Sequence, residues 1–198
     1  MPQRPRRSPR ARLLLTAAAL AALIAGYYLG QFWQRQGLDD LSAVVYRDGQ
    51  AVTYPDSLTL DPGPDGGVWR LFVVADTGQE RCLAAMRHFG LTINRLAAWP
   101  DIQPRVRVSV LAYDQPSLTR AEQLRGGAPW LEIVSAPASD LDRLSGPLGL
   151  LPDPARWCAP SQLNGILVDP DQRRWALIPY EEPKTMAFNL QAVIQFVE

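Results

Sequence analysis

Two thiols and one imidazole carry most of the chemistry open to this chain of 198 residues: Cys82 and Cys158 are its only cysteines, and His88 is its only histidine. A thiolate can act as a nucleophile, a redox partner or a ligand for soft metals, and an imidazole completes many such sites. Cys82 lies just beyond VVADTGQ, where an apolar run gives way through a short polar turn to a helical pattern. Each residue also has a plainer reading. His88 follows Cys82 by six positions, about 120° round an ideal helix, and falls between Arg81 and Arg95 on the polar face, as a solvated surface histidine would. Cys82 lies on or beside the apolar stripe, and unpaired cysteine is among the most often buried residue types. Three readings of Cys82 therefore stand: a buried inert thiol, half of a disulfide with Cys158, and a reactive thiol or metal ligand. The third is the weakest. Cys82 sits a turn and a half inside the expected helix, and the dipole effect that lowers a thiol pKa fades within the first turn.

Other motifs are few. The chain lacks a Gly-x-Ser-x-Gly elbow, a P-loop and a metal-protease helix. Asp169-Pro170-Asp171 has no ligand set beyond it to make a calcium loop, so it reads as a hairpin turn. Glu181-Glu182 has no partner arrangement for general acid-base work, and Asp140 and Asp142 read as solvated residues near a helix start. With 20 basic and 20 acidic residues and 47% hydrophobic content, the composition indicates neither disorder nor a nucleic-acid footprint.

The elements that must position these residues follow from periodicity and turn chemistry. AVVYRDGQAVTY, residues 43–54, reads as two short strands around Asp48-Gly49, a dipeptide that favours a hairpin. DPGPDGG, residues 61–67, is a loop by composition. Trp69 to Ala75 is an apolar run short enough for a buried strand. Thr77-Gly78-Gln79-Glu80 has the form of a capping box, which starts a helix at Thr77. Leu83, Met86, Gly90, Ile93 and Ala97 recur along that helix at helical spacing, and Pro100 stops it. Strands follow at 106–112 and 130–135, with short helices at 118–124 and 139–151. A hairpin joins 166–168 to 174–179, and 184–197 closes the chain as an amphipathic helix with Met186, Leu190, Val193 and Phe196 on one face. The pattern is an α/β sandwich with a partly parallel sheet.

The amino terminus carries a different signal. Arg4, Arg6, Arg7, Arg10 and Arg12 form a basic cluster without an acidic residue. LLLTAAALAALIAGYYLGQFW, residues 13–33, then runs uncharged for about twenty residues, enough to cross a hydrocarbon core of roughly 30 Å. A cleaved signal peptide would have a shorter apolar region, about 7 to 15 residues, ending in a small-x-small site. This run ends instead in Tyr27, Tyr28, Phe32 and Trp33, which suit the membrane interface. The expected organisation is a cytoplasmic basic tail at 1–12, a single transmembrane helix at 13–33, a linker at 34–42 and an exported domain at 43–198. By the positive-inside rule that domain lies outside, in the periplasm of a Gram-negative cell, tethered to the inner membrane. An oxidising compartment favours the disulfide reading, and closing so long a loop would stabilise the fold by roughly 4 kcal/mol.

The ordered set GYYLGQFW, WRLFVVADT, VRVSVLAYDQPSLTRAEQL and ILVDPDQRRWALIPYEEPKTMAFNLQAVI resembles the SCO/SenC family of thioredoxin-like, membrane-anchored copper chaperones for cytochrome c oxidase assembly. The resemblance covers nearly the whole chain and implies a thioredoxin-like sandwich. It also implies a copper site with two cysteines on the turn after the first core strand and a histidine before the last hairpin. Those positions fall on Gln79, Leu83 and Ser161, and the family's usual aspartate after the second strand falls on Leu111. Cys82 is one residue short of the second cysteine position, and Cys158 lies three residues before the histidine position. The resemblance thus puts the turn at 77–80 beside the segment 158–161 at one edge of the sheet, with Cys82 and Cys158 within bonding reach.

These departures lead to an expectation of no bound copper and no other cofactor. They suit a non-catalytic protein that binds an oxidase subunit or assembly factor. A thiol-disulfide oxidoreductase or residual copper carrier using Cys82 and Cys158 is the alternative. A third reading is a domain with a purely structural disulfide and a task unrelated to oxidases.

Overall fold

The structure is a computed structural model that describes residues 15–16, 18–28, 41–58, 60–63, 67–150, 153, 157–161 and 163–198. The chain divides into two compact units, 1–40 and 41–198. In the first, residues 15–16 and 18–28 are helical and their side chains are exposed, Leu23, Tyr27 and Tyr28 among them. Among the described residues no helix is long and apolar enough to cross a membrane. The span expected at 13–33 includes residues 13, 14, 17 and 29–33, which lie outside the described residues, as does the basic tail.

Among its described residues the second unit has six strands: β1 (Val44–Ala51), β2 (Trp69–Ala75), β3 (Val106–Ala112), β4 (Leu131–Val134), β5 (Asn164–Val168) and β6 (Arg173–Pro179). They form one mixed sheet in the order β1-β6-β5-β2-β3-β4. β2, β3 and β4 are parallel, while β5 and β6 run antiparallel to their neighbours and β1 pairs antiparallel with β6. Helices α1 (Glu80–Arg95), α2 (Leu118–Arg125), α3 (Ala138–Leu148) and α4 (Pro183–Val197) complete it. Every residue of β2 is buried, as a strand covered on both faces requires. Its side chains alternate between two cores. Trp69, Leu71, Val73 and Ala75 join α1 and α4 in one, and Phe72 and Val74 join Leu141, Leu144 and Leu148 of α3 in the other. This is the expected α/β sandwich with a partly parallel sheet.

Three local expectations are corrected. Residues 43–54 do not form a hairpin: Val44–Ala51 is one edge strand, and its register against β6 shifts between Val45 and Gln50. Asp48-Gly49 therefore makes an irregularity within a strand rather than a turn. Trp175 accounts for the glycine itself, because a Cβ at position 49 would lie 2.7 Å from that ring. The capping box does not form either. α1 begins at Glu80 with Gln79 as its N-cap and no side-chain cap bond. Thr77 instead turns its hydroxyl to Asp114 Oδ2 at 2.5 Å, and its amide donates to Asp114 Oδ1 at 3.0 Å. A capping box would have the Thr77 oxygen accept from the Glu80 amide; here the hydroxyl donates to a carboxylate 37 positions away, a charge-assisted bond. Phe196, expected on the buried face of α4, is exposed.

Candidate functional site

The site lies where β2 ends and α1 begins. Asp76 organises the turn: its Oδ1 accepts the Gly78 amide at 2.9 Å and its Oδ2 accepts Gln79 Nε2 at 2.7 Å. Gln79 Oε1 in turn accepts Arg81 Nε at 2.7 Å, so both ends of the Gln79 amide are engaged. Because α1 begins at Glu80, Cys82 lies within its first turn rather than a turn and a half inside; it is buried and bonded to Cys158, with the Cα atoms 5.0 Å apart. That lies within the range a disulfide spans, as the expected proximity required. The bond is not at a lateral edge of the sheet. It sits at the C-terminal end of β2, which has β5 on one side and β3 on the other.

Cys82 is 0% exposed and Cys158 is 4% exposed. Cys158 holds a left-handed backbone, φ 58°, a conformation that non-glycine residues adopt at a cost. Beside it, the Trp157 ring lies 5.1 Å from that of Tyr113. The Tyr113 hydroxyl donates to Asp142 Oδ1 at 2.8 Å and meets Ser145 Oγ at 3.1 Å. Burial, chiefly, pushes the Tyr113 phenol up to about 12, so it is a neutral donor here. Thiol-disulfide exchange needs an attacking thiolate to reach a sulfur, and the burial of both sulfurs opposes that.

Gln79 and Leu83 are one helical turn apart, the Leu83 amide donating to the Gln79 carbonyl at 3.1 Å, while Leu83 and Ser161 line separate hollows. Leu83 lines a hollow of about 340 Å³ between α1 and α2. Ser161 is exposed and lines a separate cavity of similar size, about 340 Å³, with Val74, Trp157 and Cys158. Soft Cu(I) asks for thiolate, thioether or imidazole donors. An amide held by two hydrogen bonds, an apolar side chain, a hydroxyl and two sulfurs bonded to each other do not fit it. Among the described residues no group of three His, Cys, Asp or Glu side chains is placed to hold a metal. His88 is elsewhere and is not the solvated residue expected. It is half-buried, its ring 4.4 Å from that of Tyr180, and its Nε2 donates to the Glu181 carbonyl at 2.6 Å. Asp169 is a turn residue, accepting from the Arg173 amide at 2.8 Å and Trp175 Nε1 at 2.6 Å.

Sequence reasoning missed a buried charged cluster at the other end of β2. Arg70 Nε lies 3.3 Å from Glu132 Oε2, and that carboxylate also accepts Ser109 Oγ at 2.7 Å and the Asp61 amide at 2.8 Å. Arg70 donates as well to the Asp61 carbonyl, which pins the loop before β2. The only signal was a charge at the second position of two apolar strand runs, WRLFVVA and LEIV.

No protein-family model matches the chain, and no curated protein matches it. Solved structures do. Apo Sco1 of Thermus thermophilus aligns with a TM-score of 0.53 at 15% identity, covering 80% of this chain and 97% of that one. BsSco, a member of the Sco family of cytochrome c oxidase assembly proteins in which a disulfide switch was identified, aligns at 0.50 with 15% identity, over 73% and 98%. Copper-bound ScoI of Arabidopsis thaliana aligns at 0.50 with 8% identity, over 65% and 85%. At these identities the likeness concerns architecture, and the unit at 41–198 has the thioredoxin-like fold that the Sco proteins share.

Proposed function

We propose that this chain is a membrane-anchored, exported Sco-like protein that binds a partner in respiratory oxidase assembly and no longer carries the copper site. The observation that carries the reading is the buried Cys82–Cys158 bond, set beside Gln79, Leu83 and Ser161 at the ligand positions of the resemblance. A closed, inaccessible disulfide holds the loops that would otherwise present metal ligands, leaving the fold as a rigid binding body. The uncharged run at 13–33 behind five arginines supports an anchor with its basic end in the cytoplasm. The exposed apolar side chains of Leu15, Leu20, Leu23 and Ile24 suit a lipid environment.

The deciding experiment is Cu(I) competition. The purified chain, with and without prior reduction, is titrated against a strong Cu(I) chelator. Copper retained at no more than the level of a generic surface thiol is expected, and stoichiometric retention would end the reading. A second reading, exchange chemistry at Cys82 and Cys158, draws on one observation: Cys158 is among the residues that line the cavity of about 340 Å³ shared with Ser161. Alkylation with mass readout across a series of thiol-disulfide buffers separates the two. A bond that survives strong reductant in the folded protein is structural, and one poised near the periplasmic couples is chemical.

A further inference from the structure

We propose that the groove along α1, from Leu83 to Asn94, docks an extended peptide in which acidic and apolar side chains alternate. The inference rests on the partner-binding reading and names where a partner engages and with what chemistry. Two hollows, of about 340 and 600 Å³, flank the helix and share Ala128 and Trp130 at their junction. Trp130 is half-buried and lies across α1 at Gly90, where a Cβ would come within 2.8 Å of its ring. The glycine thus seats an aromatic platform midway along the groove, open to a ligand above it.

The floor is apolar and the rim is basic. Leu83 and Met86 of α1 and Leu124 of α2 line the first hollow, and Ile93 lines the second. Arg87 and Arg120 stand at one end and Arg107 at the other, and among the described residues no Asp or Glu lines either hollow. Arg87 pairs with Glu80 at 2.8 Å, but both side chains are well exposed. Such a pair is weak, and a ligand carboxylate can replace Glu80. From Leu83 to Asn94 the helix advances about 16 Å, the length of about five extended residues. The opposite wall is α2, which has no fully buried residue and packs on the core through Ala121 and Leu124. The chain's own N-terminus is the wrong occupant: no acidic residue precedes Asp39, and five arginines stand among the first twelve residues.

The test uses the full chain in detergent micelles and two fluorescein-labelled pools of pentapeptides. One pool alternates Asp or Glu with Leu, Phe, Val or Ile, and the other replaces the acids with Lys or Arg. The acidic pool is expected to bind and the basic pool not, with affinity falling as salt rises. Arg87→Glu/Arg120→Glu should weaken the acidic pool at least tenfold and favour the basic one, with the disulfide intact and the far-UV spectrum unchanged. Equal binding of the two pools, or an unchanged affinity after the double reversal, would overturn the proposal. So would self-association of the chain that the reversal abolishes, since the groove would then take a second copy. An oxidase subunit that binds wild type and the reversed variant equally would remove the groove and leave the partner-binding reading standing.

Discussion

The two ends of β2 are tied to the rest of the molecule by opposite chemistry. At its C-terminal end the tie is covalent, dry and charge-neutral: Cys82 in α1 is joined to Cys158 across 76 positions of sequence. At its N-terminal end the tie is ionic: Arg70 and Glu132, both buried, hold the preceding loop through Asp61. A disulfide acts largely by restricting the unfolded chain, so its contribution does not need a particular set of neighbours. A buried ion pair acts only as a complete set, because removing one member leaves the other charged and unsolvated. The first end can lose its bond and keep its shape. The second cannot lose one partner without rebuilding.

That contrast can be broken or sharpened by measurement. The largest effect is expected from Cys82→Ala/Cys158→Ala, which should lower unfolding stability by about 4.5 kcal/mol for a loop of this length. Urea denaturation of the oxidised parent and the variant reads it, and a loss under about 1 kcal/mol would mean the bond holds little. Next, Glu132→Ala should cost about 3 kcal/mol by stranding Arg70, and adding Arg70→Leu should recover part of it. Additive losses in that cycle would deny the pairing. Smaller again, Cys82→Ala/Cys158→Gly should be about 1 kcal/mol more stable than the double alanine variant, because glycine accepts the left-handed backbone at 158 without strain.

A further effect, confined to high pH, concerns the disulfide end. The Tyr113 phenol ionises near 10 when unfolded and near 12 when folded. The unfolded chain therefore loses its proton first, and the stability present below pH 10 drains away as pH rises towards 12. Tyr113→Phe should flatten that part of the stability profile. An unchanged slope would show that the hydroxyl's surroundings near Trp157 do not hold it neutral.

Much of this arrangement can be read from one sequence where the signal is periodic. The runs at 69–75 and 106–112 coincide with β2 and β3, and the helix expected at 184–197 is α4 to within a residue. Apolar alternation and strong turn residues report on themselves. What stays hidden depends on distant partners. Asp48-Gly49 carries the same composition whether it makes a turn or a strand irregularity, and only the pairing of β1 with β6, which brings Trp175 over Gly49, tells them apart. Thr77 reads as a cap until Asp114 takes its hydroxyl. Arg70 and Glu132 look like interruptions in apolar strands, and only the register that sets Ser109 against Glu132 makes them a cluster. The meeting of the two cysteines was anticipated through a family likeness, because spacing alone says nothing about sulfurs 76 positions apart.

The outermost strands decide something that neither the disulfide nor the charged cluster touches: whether the sheet can grow. A long, flat border of unpaired amides and carbonyls is a template on which further chains polymerise. Here one border is β1, whose ladder breaks step between Val45 and Gln50, and the other is β4, only four residues long. Neither offers a run on which a seventh strand could register. Crowded copies of this unit should stay separate even where their cores have loosened. Straightening β1, for instance by removing one residue at the shift, is the edit expected to turn a well-behaved domain into a fibre-former.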